Sequence, residues 1–292
     1  MLDRYLLRYV IAVVEQGNFS RAAAACNVSQ PTLSIGIAKL ERELGQPLFV
    51  RSNQRVELTE AGTRFLVHAR RIEREFNAAI QAVGTPGERP SFRLGILASV
   101  ASDRIATAIA ATRPGETHRF ELVFGTEREL AGHLAKGRID VALTLVGRGG
   151  TRFLERAIAT EDYALALPAD HRLAGETTIA AERLAGETMI VRRHCEALAD
   201  TSRHFTERGV RPAFALRSTN DERVLQMVAA GLGITVLPRG HRLGGVVRPS
   251  LTGFGLTRTL GWAAAPAAEP ILAGPPAIMT GIEAALTTDA SR

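Results

Sequence analysis

Arg192-Arg193-His194-Cys195 is the most chemically loaded run in the chain. A thiol reacts as its thiolate, and neighbouring cations favour that form. The chemistry implied is oxidation of Cys195 to a sulfenic acid. The competing reading is a small pocket-lining or buried side chain. Cys26 falls in an alanine-rich helical run and is expected in a core, and two cysteines give no disulfide framework. A second chemistry is the holding of a small polar ligand. Ser99 and Thr144 end apolar strand-like runs, Thr126 follows one and opens a helix, and Thr219 and Asn220 precede another helix. Hydroxyls and free N–H groups at such places bind carboxylates and other polar effectors, although each alone also serves as a plain N-cap. With His194 and Cys195 they form the candidate effector set. There is no Gly-rich phosphate loop, no HExxH and no GxSxG, and the seven histidines lack metal-ligand spacing. No catalytic residue, metal or cofactor is expected.

The elements that would place these groups begin with a nucleic-acid reader at residues 18 to 62. Ser20 reads as the N-cap of a short helix, with Phe19 packing back on it. Asn27-Val28-Ser29 turns the chain, Ser29 or Gln30 caps a second helix, and Pro31 suits its first turn. Leu33, Ile37, Leu40 and Leu44 form an inward stripe at spacings of four, three and four. Pro31, Thr32, Ser34, Ile35, Ala38, Lys39 and Arg42 give the other face, which is small, polar and basic. Gly45 ends the helix. Pro47 to Val50 and Arg55 to Leu58 read as a strand pair with Arg51 and Arg55 at its tip. This order describes a winged helix-turn-helix, with Ser29, Gln30, Pro31, Thr32, Ser34, Ile35 and Lys39 as its DNA-contacting residues and Arg51 and Arg55 placed to clamp phosphates or enter a minor groove.

From Thr59 the chain is helical again. Phe65, Ala69, Ile72, Phe76, Ala79 and Val83 repeat as a heptad seam, so Phe65, Ala69, Ile72, Phe76 and Val83 are expected to meet a second copy. Arg70, Arg71, Arg74 and Glu75 lie largely off that seam. Residues 84 to 90, with two prolines and two glycines, form a hinge. Beyond it apolar strands alternate with amphipathic helices: strands at 92–97, 120–124, 139–145, 163–167, 189–191, 214–217, 234–237 and 258–264, and helices at 102–112, 127–136, 197–208, 221–230 and 277–286. Such alternation predicts α/β architecture with largely parallel sheets.

The chain of 292 residues has a net charge of +6 and a pI near 10.1. The sign suits nucleic acid, but the excess is spread along the chain. Asp3, Arg4 and Arg8 interrupt any apolar leader, and no run is apolar enough to span a bilayer. A cytoplasmic protein with no membrane partner is expected.

The run AAAACNVSQPTLSIGIAKLERELGQPLFVR, with LTEAG after it, resembles the N-terminal domain of LysR-type transcriptional regulators. FELVFGTERELAGHLAKGRIDVALTL and LQMVAAGLGITVLP resemble the effector domain of the same family. The resemblance implies an α+β chain: an all-α winged helix-turn-helix with its linker helix, then a two-lobed α/β domain like a periplasmic binding protein. The domains expected are a reader at 1–59, a dimerising helix at 60–84, a hinge at 85–90 and an effector domain at 91–292. Its lobes would be 91–160 with 266–292, and 161–265. Partners implied are double-stranded operator DNA, a small-molecule effector, RNA polymerase, and further copies in a homodimer or homotetramer. Ile35 stands where the family often has a long polar side chain, which leaves thymine-methyl contact rather than hydrogen-bond readout. Peroxide-sensing members pair the cysteine of the His194-Cys195 loop with a second, nine residues on. Here His204 stands there, which excludes a disulfide within this domain. The competing functions are a one-cysteine oxidant sensor, an effector-independent architectural DNA binder, and an enzyme or solute carrier.

Overall fold

The structure, a computed structural model, describes residues 3–51, 56–83, 91–113, 119–150 and 152–288. The chain divides into two compact units, residues 1–92 with 131–140, and residues 93–130 with 141–292.

The first unit opens with α1 (Arg4–Gln16), whose Leu6, Val10 and Val13 are fully buried. Helices α2 (Phe19–Ala25) and α3 (Gln30–Leu44) follow, then β1 (Phe49–Arg51) and β2 (Val56–Leu58), paired antiparallel. Helix α4 (Glu60–Val83) follows, and residues 131–140 join the same unit. Asn18, not Ser20, caps α2: its side chain accepts from the N–H groups of Ser20 and Arg21. Asparagine two positions earlier satisfies two orphan donors, and Phe19 stacks edge-on against Phe49 at 5.8 Å. Ser29 caps α3 as expected and Gly45 ends it at φ +67°. Leu33, Ile37 and Leu40 are buried, whereas Leu44 stands exposed past the end of the core. Gly36 is required by close approach, because a Cβ there would lie 2.9 Å from the Tyr9 ring.

The second unit is built on a mixed sheet, not the largely parallel one expected. Its strands are β3 (Ser91–Leu97), β4 (Arg119–Gly125), β5 (Val141–Leu145), β6 (Leu154–Pro168), β7 (Thr178–Ile179), β8 (Thr188–Arg192), β9 (Ala213–Ser218), β10 (Thr235–Pro238), β11 (Val246–Val247), β12 (Ser250–Leu251) and β13 (Thr257–Ala264). The main sheet runs β10-β6-β13-β5-β3-β4. β3 and β5 are parallel, but β13 is antiparallel to both β5 and β6, and β10 is antiparallel to β6. β6 starts nine residues before the expected Tyr163, in the stretch 154–162 whose mixed burial hides its period, and there it pairs with β13. A separate parallel pair, β8 with β9, touches the main sheet through the bridge between Met189 and Ile234. The helices are α5 (Ser102–Thr112), α6 (Glu127–Ala135), α7 (Leu198–Glu207), α8 (Asp221–Ala229), α9 (Glu269–Ala273) and α10 (Ala277–Thr287). Trp262 on β13 is fully buried, its indole N–H donating to Glu283 of α10 at 2.6 Å. Among the described residues, no helix is long and apolar enough to cross a membrane.

Candidate functional site

The reader surface is set by what α3 turns outward. Ile35 is 70 % exposed beside Ser34, whose hydroxyl accepts from Gln30 Nε2 at 3.0 Å. The Ser29 and Thr32 hydroxyls bond each other at 2.7 Å at the helix start, with Pro31 exposed between them. A groove of about 490 Å³ runs between α3 and the strand pair, lined by Ser34, Ile35, Ala38, Val50 and Val56. Glu41 fixes that geometry by accepting from the Leu48 N–H at 2.7 Å and the Phe49 N–H at 3.2 Å. Lys39 is turned back to Asp3 at 3.5 Å, so its charge is shared with the start of α1. Arg51 ends β1, while Arg55 and the hinge expected at 84–90 lie outside the described residues.

The α4 seam divides. Phe65 packs on the reader core and Ala69 is fully buried within the same unit. Ile72 and Phe76 are 44 % and 43 % exposed, and Val83 is the last residue of the helix. Two of the five residues expected on the seam, Phe65 and Ala69, are thus taken up by the chain's own core. Arg70 is buried, not solvated, with Nη2 on Glu15 Oε1 at 3.1 Å.

In the second unit Ser99, His194 and Cys195 are drawn into one buried polar network, which also contains residues that sequence reasoning missed. Arg258, on β13, donates to Ser99 Oγ at 2.6 Å, to the Ser99 carbonyl at 2.8 Å and to Glu161 Oε1 at 2.8 Å. It also donates to Glu196. The Glu196 carboxylate accepts from Tyr163 Oη at 2.7 Å and from Ser99 Oγ at 3.3 Å. Burial raises the Glu196 pKa, but Arg258, a backbone hydrogen bond and the Tyr163 hydroxyl together outweigh it and the net shift is down. Burial, with Glu196 beside it, pushes the Tyr163 phenol far up, so it stays a donor. Next to this group Arg192 forms a two-point pair with Asp221, flanked by His194 and His241 at 3.6 and 3.7 Å.

Cys195 Sγ accepts from Arg192 Nη1 at 3.0 Å and from the Ala197 N–H at 3.3 Å. Both bonds favour the thiolate. Burial opposes them and Glu196 adds to it, so the thiol is raised overall. At the position nine residues on, His204 is buried edge-on to Phe254 at 5.2 Å, its pKa lowered by burial and by Arg208. Cys26 packs partly buried on the reader core.

The other candidate residues stand apart. Thr126 and Glu129 satisfy each other at the start of α6, with bonds of 2.8 to 3.3 Å. Asn220 caps α8 by accepting from the Arg223 N–H at 2.7 Å, and Thr219 beside it is exposed. Thr144 is buried in β5, and its hydroxyl has no hydrogen-bond partner among the described residues. The signal that could have exposed the network was charge in apolar surroundings: Arg258 opens an apolar strand and Glu196 follows directly on the thiol.

A cavity of about 600 Å³ lies between α7 and the β8–β9 pair, lined by Met189, Phe205, Phe214 and Val236, with Cys195 on its wall and Arg217 among its polar groups. That volume suits one small ligand. Cys195 is the one residue of the expected effector set that reaches it. Among the described residues no three His, Cys, Asp or Glu side chains cluster as a metal site.

Residues 5–63 match the family model described as a bacterial regulatory helix-turn-helix protein of the lysR family, and residues 86–272 match that of the LysR substrate binding domain. The chain is 33 % identical over 239 residues to the hydrogen peroxide-inducible genes activator of Pectobacterium carotovorum subsp. carotovorum, covering 80 % of this chain and 78 % of that one. Its fold is similar to that of ArgP from Mycobacterium tuberculosis, with a TM-score of 0.72, 22 % identity and 98 % of each chain covered. It is also similar to full-length OxyR from Pseudomonas aeruginosa, with a TM-score of 0.65, 22 % identity, and 97 % of this chain and 95 % of that chain covered.

Proposed function

The chain belongs to the LysR family of DNA-binding transcriptional regulators, and on that premise we propose that its C-terminal unit reads a small anionic effector at the Ser99 site. As a member it binds operator DNA, answers to a small molecule and works as a homo-oligomer. One observation carries the proposal: Ser99, Tyr163 and Arg258, all buried, converge on a single carboxylate, that of Glu196. Donors arranged in this way around one anion are costly to leave unfilled, so their convergence implies a site for one.

The remaining assignments come from the family. Residues 1–59 read DNA, 60–84 dimerise, 85–90 form the hinge and 91–292 sense, with lobes 91–160 plus 266–292 and 161–265. Ser34 and Ile35 face base edges, while Ser29, Gln30, Thr32, Arg51 and Arg55 hold the backbone. Effector binding biases lobe closure and hence the spacing of the readers in the oligomer. The protein acts in the cytoplasm, with RNA polymerase as a further partner, and no catalytic step is assigned to it. The test is footprinting on DNA upstream of the protein's own gene, with candidate carboxylic acids. Ser99→Ala should lose about 1–3 kcal/mol of effector binding and keep effector-free DNA binding. An unchanged effector response would overturn the site.

A second reading rests on the relative named for hydrogen peroxide and on the 3.0 Å bond from Arg192 to Cys195. The Cys195 thiolate would attack a peroxide oxygen, forming S–O as O–O breaks. One oxygen leaves as water once protonated, and the sulfur is oxidised to a sulfenic acid. Cys195→Ser abolishes the response on this reading and leaves it intact on the first.

A further inference from the structure

Two carboxylates of residues 161–265 reach the start of α5. Glu196 is held by Ser99, Tyr163 and Arg258. Glu222 of α8 accepts from Ser102 Oγ at 2.6 Å and from the Ser102 N–H at 3.3 Å. Ser99 and Ser102 flank the entry to that helix, so the chain meets both serines with its own anions.

We propose that Glu196 is a built-in occupant of the anion site, a tethered carboxylate seated where an external one would bind, so that an effector enters only by displacing the loop 194–197. The inference rests on the reading of Ser99 as an effector residue and goes further, because it makes the resting protein already self-liganded.

The fit is complete. The Glu196 side chain is 10 % exposed and that of Arg258 3 %. The adjoining crevice, lined by Val100, Arg104, Gly240 and His241, has a cavity volume of about 0 Å³, against the ~300 Å³ at which small-ligand pockets begin. No second anion fits while Glu196 is in place.

The site also survives the departure of its occupant. Arg258 donates to Glu161 Oε1 through Nε at 3.0 Å and Nη2 at 2.8 Å, and to the Ser99 carbonyl. The Glu161 carboxylate is itself fixed by the Gly240 N–H at 3.0 Å. Arg258 therefore stays paired and oriented when Glu196 swings out, and the donors wait preorganised for a replacement. Residues 194–197 form a short turn between β8 and α7, held at Cys195 by its sulfur contacts with Arg192 and Ala197.

The test is chemical rescue of the full-length chain. Glu196→Ala leaves a hole the size of acetate. Its melting temperature should lie below wild type and rise saturably with sodium acetate, by about 3 °C at ten times the dissociation constant, but not with sodium chloride of equal ionic strength. Wild type should show no acetate-specific rise, and adding Ser99→Ala to Glu196→Ala should remove the rescue. Absence of an acetate-specific shift in Glu196→Ala, or an equal shift in wild type, overturns the proposal. Should Glu196→Ala fold in neither salt, Glu196→Gln carries the test, since it keeps the volume and drops the charge. Amide exchange at residues 99–103 must then rise severalfold, and unchanged exchange refutes the occupant. Acetate rescue with an effector response indifferent to Ser99→Ala would keep the occupant and discard the effector reading. Loss of response in Ser99→Ala without rescue would do the reverse.

Discussion

Arg192 and Asp221 form a two-point ion pair sealed from solvent, with Nε to Oδ1 at 2.6 Å and side chains 2 % and 0 % exposed. The pair joins the end of β8 to the first residue of α8. Removing one partner strands a buried charge. Asp221→Ala should therefore cost about 3–5 kcal/mol, read as a lower urea midpoint. Arg192→Met combined with Asp221→Leu strands no charge and should fall much closer to wild type. If the double variant is as unstable as the single, the cost lies in packing and not in the orphaned guanidinium.

Stability should fall with acid in two stages. Burial lowers the His241 pKa, Asp221 opposes and Arg192 reinforces, for a net shift below the ordinary 6.5. A histidine depressed in this way binds fewer protons folded than unfolded, so its contribution is complete above pH 6.5 and drains away as pH falls through that value. Glu196 and Asp221 are held below their ordinary 4.5 and 3.8, where the charges of Arg258 and Arg192 and the hydrogen bonds to each carboxylate together exceed the effect of burial. Their contribution persists until pH drops beneath those values. Melting temperatures between pH 8 and 3 should be level at first, decline from about 6.5 and steepen below about 4.5. A level profile down to pH 5 would show that His241 is not held neutral.

Most of the reader was legible because its residues speak locally. Ser29, Pro31 and Gly45 mark helix ends through backbone chemistry that needs no tertiary partner. Ser20 misled because Asn18 and Ser20 are both good caps and the choice depends on where the chain enters the helix. The expected strand and helix cores of the second unit stand within a few residues of those observed, except where β6 extends along β13 and its alternation is blurred. The polar network was not legible. Ser99, Tyr163, Glu196 and Arg258 come from four separate stretches that meet only in the folded chain. Local patterns offered Thr126 and Asn220 both as caps and as ligand groups, and in the fold both are taken up as caps.

Base choice should depend on Ile35. The side chain is open at the outer face of α3 and offers no donor or acceptor. Ile35→Gln adds both and should change the preferred base pair at one position by about 1–3 kcal/mol. Selection of binding sites from a random pool measures this directly. The same consensus from both proteins would remove α3 from the groove.

Self-association should depend on Ile72 and Phe76, not on the whole heptad. Phe65 and Ala69 are committed to the protein's own core, so changing them tests folding and not assembly. Ile72 and Phe76 lie four apart on one exposed face of α4. The Arg4 guanidinium sits 3.6 Å above the Phe76 ring and covers one of its faces. Large apolar side chains this open on a long helix expose area that a second copy would bury. Ile72→Glu with Phe76→Glu would place like charges across a two-fold axis, where each copy repels the other. Sedimentation should then show a smaller species, and operator affinity should fall because a lone reader reaches one half-site. Arg4→Ala removes the cover from Phe76 without adding charge, so it should leave the mass unchanged. An unaltered mass for the double glutamate variant, with its helix content intact, would place the dimer contact elsewhere on the chain.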